Sequence, residues 1–176
     1  MDGGPPLSEQ VGPEFTLSMY AELRSIARRT LADWKQRSFE ATALVHEAWL
    51  RMRERGQVHD EQREEFFARA AVNVRRVLID HYRGNETLKR AGGSAAGRPL
   101  VESVALEFAP AVDLLALDDA LEALAEREPR RARLVELRFF GGLTIPETAR
   151  VLGVAPRTVD KEWRYAKAWL KVRLEG

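Results

Sequence analysis

An all-α fold, two small helical domains joined by a flexible linker with a helix-turn-helix in the second, is predicted by three features of this 176-residue chain. Apolar residues recur at steps of three and four, and no strand-like alternation of useful length appears. A stretch rich in glycine, alanine, serine and proline, from residue 91 to 110, breaks that pattern midway. Residues 144–159 carry cap and turn residues at the offsets of two short crossing helices. The expected organisation is a loose tail (1–13), a first domain (14–90), a linker (91–111) and a second domain (112–176).

The helices follow from spacing. Leu17, Tyr20, Leu23, Ala27, Leu31 and Trp34 form one amphipathic stripe. Val45, Ala48, Trp49 and Met52 form a second, ending near Gly56, and Phe67, Ala70, Ala71, Val74, Val77 and Leu78 a third, closed by Gly84. Residues 57–65 between them are polar and too long for a tight turn. Beyond the linker, Leu114, Leu117, Leu121 and Leu124 resume the pattern. Pro129 suits a first helical turn, and Ala132, Val135 and Phe139 continue it until Gly141-Gly142 ends the helix. The tryptophans Trp34, Trp49, Trp163 and Trp169 lie at core spacing and read as packing residues.

Composition narrows the function classes. With 45% apolar and 31% charged residues the chain can bury a core. No run approaches the roughly 18 apolar residues of a membrane span, and the polar start lacks the basic end and apolar centre of a signal peptide. The absence of cysteine excludes disulfides and thiolate metal sites and suits a reducing cytoplasm. The net charge of +1 hides an uneven distribution: residues 141–176 hold seven basic side chains against four acids. A nucleic-acid partner is therefore expected at the C-terminal end.

Within residues 144–159, Thr144 and Glu147 form a capping-box pair, Ala149 is small where a second helix would cross, and Gly153 stands where a left-handed turn is needed. Val154 and Val159 would plug the angle between the helices. The second of them, from about 156 to 174, would enter the major groove. Arg157, Thr158, Asp160, Lys161 and Arg164 lie toward its outward N-terminal side, with Lys167 farther along, so these six are the candidate duplex-reading residues. A plain helix pair with a solvated charged face is the alternative; the cap, the small residues and the local positive charge favour DNA.

With that unit in place, the first half resembles extracytoplasmic-function sigma factors. Ala43-Leu44-Val45-His46-Glu47-Ala48-Trp49-Leu50 is similar to their D-L-V-Q-E-x-F-L helix. Phe66-Phe67-Ala68-Arg69-Ala70-Ala71-Val72-Asn73, followed by Leu78-Ile79-Asp80-His81-Tyr82-Arg83, resembles W-L-x-x-I-A-x-N…L-I-D-x-x-R. Leu137-Arg138-Phe139-Phe140-Gly141-Gly142-Leu143-Thr144 resembles L-R-x-x-x-G-L-[ST], and Trp163 with Ala166-Lys167-Ala168-Trp169-Leu170 a tryptophan-rich subgroup. Phe66 departs from the usual tryptophan, His46 from glutamine, and Asp160 and Glu162 from the basic residues of many members.

The resemblance implies a mechanism and a set of residues. Leu44, Val45, His46, Glu47 and Leu50 would grip the clamp helices of the largest polymerase subunit. A loop at 57–63, with Gln57, His59 and Arg63, would capture the unpaired strand of the −10 element together with Arg69, Asn73 and Arg76. The second domain would hold the polymerase flap and read the −35 element. Partners are thus RNA polymerase core and promoter DNA, with an anti-sigma factor as a further candidate, and no membrane. The sequence closes just after the reading helix, so regulation is expected from a separate protein, expression level or modification.

Two rival classes compete with this reading, beside an interaction protein that mimics a sigma factor and sequesters its inhibitor, against which the intact basic reading helix argues. For an enzyme, His46-Glu47 begins like a helical zinc motif, but the position four residues after His46 is Leu50. The glycines at 92 and 97 have phosphate-loop spacing, yet Arg98-Pro99 follows in place of Lys and Ser or Thr. No catalytic residue, metal or cofactor is expected. The second rival is a helix-turn-helix regulator with an N-terminal sensing or dimerisation domain, from which the residues at 43–50 and 73–83 separate the sigma reading.

Overall fold

The computed structural model of the chain describes residues 13–32, 41–58, 62–90 and 114–175. Among these, every regular element is a helix: α1 (Pro13–Ala32), α2 (Ala41–Glu54), α3 (Arg63–Arg90), α4 (Leu114–Arg127), α5 (Pro129–Phe139), α6 (Ile145–Leu152) and α7 (Pro156–Glu175). The expected linker, most of the expected tail, and Leu31, Trp34 and His59 as side chains lie outside the described residues. None of the described helices is long and apolar enough to cross a membrane.

The first three helices pack on one another around Leu23, Leu44, Met52, Phe66, Phe67 and Leu78, all fully buried. Trp49 sits edge-on to Tyr20 and tilted against Phe66, with ring centroids 6.4 and 5.9 Å apart. Two sequence expectations change here. In α1 the buried stripe is Met19, Leu23, Ile26 and Ala27, and Leu17 is exposed. And α3 runs through Gly84 to Arg90, because a lone helical glycine costs only about 1 kcal/mol and does not by itself stop a helix. By contrast α2 does end before Gly56, whose φ of 62° lets the Gln57 N–H reach the Met52 carbonyl at 2.8 Å.

In the second half Leu114, Leu117, Leu121 and Leu124 of α4 are buried, as are Ala132, Val135 and Phe139 of α5. Pro129 opens α5 in its first turn. The two halves are not held apart. α3 packs directly on α4, α5 and α6, and the buried apolar side chains of both halves form one continuous core. At the Gly141-Gly142 turn they approach closely: a Cβ on Gly141 would meet Ala71 Cβ at 3.1 Å, and one on Gly142 would meet Ile26 at 2.8 Å.

Candidate nucleic-acid interface

The strongest local pattern in the sequence folds into α6, a turn, and α7. Thr144 caps α6: its hydroxyl accepts the Glu147 N–H at 3.4 Å, and Glu147 Oε2 accepts the Thr144 N–H at 2.7 Å, so both halves of the capping box are made. Gly153 closes α6 at φ 64°, in the left-handed region. Val159 is fully buried, Val154 is half-buried, and Ala149 is buried beside α7. The inner side of α7 is Val159, Glu162, Trp163, Ala166 and Leu170.

Its outer side is basic. Arg157, Lys161 and Arg164 are exposed and Thr158 and Lys167 half-buried, so most of the basic N-terminal half faces outward. Asp160 accepts from Arg164 one turn on, which makes it an aligner of a neighbouring cation. Glu162 lies inward, buried, and accepts from Arg130 of α5, whose Nε approaches at 3.2 Å. Both acids that depart from the family pattern are thereby neutralised within the protein. Trp163 is buried, with Arg138 4.7 Å from its ring centroid and Lys167 5.7 Å from it, so it packs and steadies cations.

In the first half, Asn73 is 2% exposed and makes three hydrogen bonds. Its carbonyl accepts from Arg55 Nη1 at 2.9 Å, and its amide donates to Gln57 Oε1 at 3.1 Å and to the Arg69 carbonyl at 3.0 Å. Asn73 therefore anchors the start of the loop from beneath, with Gln57 half-buried above it and Arg76 exposed one turn farther along α3. Arg63, at the first turn of α3, stacks on the Phe67 ring with its guanidinium 4.8 Å from the centroid. It donates to Glu22 at 3.0 Å and also to Glu147. Arg55, an anchor of the same loop, was not singled out from sequence; its contact with Asn73 spans 18 positions and has no local signal.

The α2 residues divide. Leu44 and Val45 are fully buried; they are core, which corrects the expectation that their side chains form a docking surface. The reason is the stripe to which they belong: Leu44, Val45, Ala48, Trp49 and Met52 form the buried side of α2, which packs on both α1 and α3. His46 is exposed, and Glu47 and Leu50 are partly so. Arg51 bridges Glu47 and Asp80 of α3, at 2.9 and 2.6 Å, so the acidic edge of α2 is tied to α3. Arg51 and Asp80 lie 29 positions apart, so no local pattern marks the pair.

A helix packed on its inner side and edged with cations on its outer side suits a polyanionic partner. Residues 13–176 match the family model described as ECF sigma factor, and the chain belongs to the ECF sigma factor family. It is an alternative sigma factor, a subunit that joins RNA polymerase core to promoter DNA to start transcription. The match covers both halves, so a regulator with an unrelated sensing domain is not favoured. Among solved structures the chain is similar to the sigma factor RpoE of Bartonella quintana, crystallised with the anti-sigma factor NepR. That pair shares 16% identity over 92% of this chain and 95% of that one, with a TM-score of 0.39. No curated protein matches.

Proposed function

We propose that the α1–α3 half binds polymerase core and captures the −10 strand, and that the α4–α7 half reads the −35 element. The observation that carries this reading is the two-sidedness of α7, where Trp163, Ala166 and Leu170 are buried and Arg157, Lys161 and Arg164 stand exposed. In this reading α6 and α7 act as a helix-turn-helix: the N-terminal half of α7 offers bidentate donors to base edges, and Lys167 meets phosphate. Asp160 orients Arg164.

The −10 capture site is the 57–63 loop, Gln57, His59 and Arg63, with Arg69 and Arg76 supplying positive charge for a single strand. Asn73 serves it as an anchor. Core polymerase docks on the solvent-facing edge of α2, His46, Glu47 and Leu50, through its clamp helices, while the second half takes the flap. Leu44 and Val45 support that edge from the core. Residues 91–111 tether two weak readers on one polymerase, so each gains from effective concentration. The protein carries no reaction of its own and works in the compartment that holds RNA polymerase.

The test is a binding titration of the full chain on matched and scrambled −35 duplexes. Arg164→Ala should lose affinity for the matched duplex far more than for the scrambled one; equal loss on both would make α7 a nonspecific basic surface.

A further inference from the structure

The exposed face of α7 holds more than its cations. Arg157, Lys161, Arg164, Tyr165 and Ala168 are all exposed, and their offsets of four, seven, eight and eleven from Arg157 put them on one side of the helix. Of the large apolar side chains exposed among the described residues, Leu17, Tyr165 and Val172, the tyrosine stands nearest in sequence to these cations and is 46% exposed. It directly follows Arg164 and lies one turn beyond Lys161. Its ring is also held. The Arg131 guanidinium of α5 lies over it, 3.9 Å from the centroid. Arg131 Nη1 is in turn 2.6 Å from Oε1 of Glu128, the N-cap residue of α5. An ion-paired cation on the ring fixes the plane of the tyrosine, while the rest of the side chain stays open to solvent.

A fixed apolar ring beside cations has a natural target in duplex DNA. The 5-methyl group of thymine is the apolar mark of the major groove, whereas lysine and arginine find phosphates and guanine edges. We propose that Tyr165 is a further specificity-determining residue of α7: its ring packs on the methyl group of one thymine in the −35 element, and Arg131 is the positioning residue that holds the ring for it. Ala168, exposed one turn farther on, has no bulk to keep the bases away. The inference rests on the −35 assignment of α7 made above and adds a base that its cations do not read. Two other roles compete for this side chain. Its hydroxyl can donate to a phosphate. With Trp169 and Val172 it also borders the groove between α4 and α7, where it can serve an apolar partner. Neither role depends on a thymine methyl.

The experiment isolates that methyl group. Its probe is the −35 duplex that core polymerase and the full chain select from randomised promoters, with copies in which each thymine in turn is replaced by deoxyuridine. Titrated with the full chain alone, one such copy should bind about fourfold more weakly than the thymine duplex, the ordinary effect of one buried methyl group. Tyr165→Phe should keep that ratio, since the ring remains. Tyr165→Ala and Tyr165→Gln, two helix-compatible residues without a ring, should both bring it to about one. Arg131→Lys retains the charge but not the planar stack. It should lower the ratio with the circular-dichroism helix signal and the urea midpoint unchanged, which a merely structural role does not do. A selected element without thymine, no effect of deoxyuridine at any position, or a ratio that survives Tyr165→Ala and Tyr165→Gln would overturn the inference. A ratio lost in Tyr165→Phe would transfer the role to the hydroxyl and overturn it equally. A ratio unchanged in Arg131→Lys would remove Arg131 from it. Failure of the −35 assignment itself has a different signature, since the parent would then bind the selected and scrambled duplexes alike.

Discussion

Asn73 donates its amide to Gln57 Oε1 at 3.1 Å, from a position 16 residues farther along the chain and beneath the surface. The start of the candidate −10 loop is thus shaped by a residue that is itself nearly inaccessible. Asn73→Ala removes the three hydrogen bonds of a buried amide and should cost about 1–3 kcal/mol of stability, measured by urea unfolding. Asn73→Asp keeps the acceptor for Arg55 but sets a carboxylate oxygen against Gln57 Oε1. Both variants should impair strand opening, read as permanganate reactivity of unpaired thymines, more than closed-complex binding. Normal opening in both would place strand capture elsewhere.

The division of α2 between core and edge gives a second prediction. Leu44→Ala should destabilise the chain by about 2–5 kcal/mol, the ordinary cost of a large-to-small change in a packed core. His46→Ala and Glu47→Ala, at exposed or partly exposed positions, should leave stability within about 0.5 kcal/mol and reduce co-purification with core polymerase. Undiminished polymerase binding by the folded His46 and Glu47 variants would move the docking surface off α2.

On α7 base and phosphate contacts should separate. A bidentate base contact is worth about 1–3 kcal/mol of discrimination, whereas a phosphate contact mainly adds salt-dependent affinity. Lys161→Ala and Arg164→Ala should weaken binding to the correct −35 duplex more than to a scrambled one. Lys167→Ala and Lys171→Ala should weaken both alike and flatten the salt dependence. Asp160→Ala removes the partner of Arg164 and should relax discrimination while strengthening nonspecific binding. Titrations at two salt concentrations distinguish these patterns.

The closed arrangement should also depend on acidity. Arg150 of α6 holds the Glu64 carboxyl of α3 below its ordinary value of 4.5. For Glu147 burial pushes upward, but the bonds from the Thr144 N–H and hydroxyl and from Arg63 outweigh it and leave its carboxyl lowered too. Arg63 and Glu22 are the other charged groups at this corner. A depressed carboxyl contributes stability above its free value and loses it as pH falls through the closed-state value. With spin labels at Arg53→Cys and Arg173→Cys, exposed positions on the two halves of this cysteine-free chain, the distance distribution should therefore stay narrow from neutrality down to about 4.5 and broaden below it. Opening near neutrality would contradict this assignment.

Local chemistry explains which features were legible in the sequence. The Thr144–Glu147 box, the left-handed Gly153 and the buried Val159 are determined within sixteen consecutive residues, 144–159, and each could be read from residue type and offset. In α2 two readings of one residue competed. Periodicity put Val45 on the inner stripe, the family motif put it on a surface, and the helix buries it. The three- and four-residue step is set by helix geometry and outranks a motif that mixes core with surface positions. The ion pairs between the two halves left no such trace. Arg75 meets Asp118 across 43 positions and Arg63 meets Glu147 across 84, and in sequence each is one ordinary charge among many. Leu17 shows the same limit, since its spacing fits the stripe of α1 yet it is 72% exposed.

Run-off transcription by core polymerase and this chain, on a library of randomised promoters, addresses the whole assignment most directly. Added chain should select transcripts that share one −35 and one −10 element. Arg164→Ala should relax the −35 element and Asn73→Ala the efficiency of opening at the −10. Core polymerase that starts no more selectively with the chain than without it would contradict the division of labour between α7 and α3.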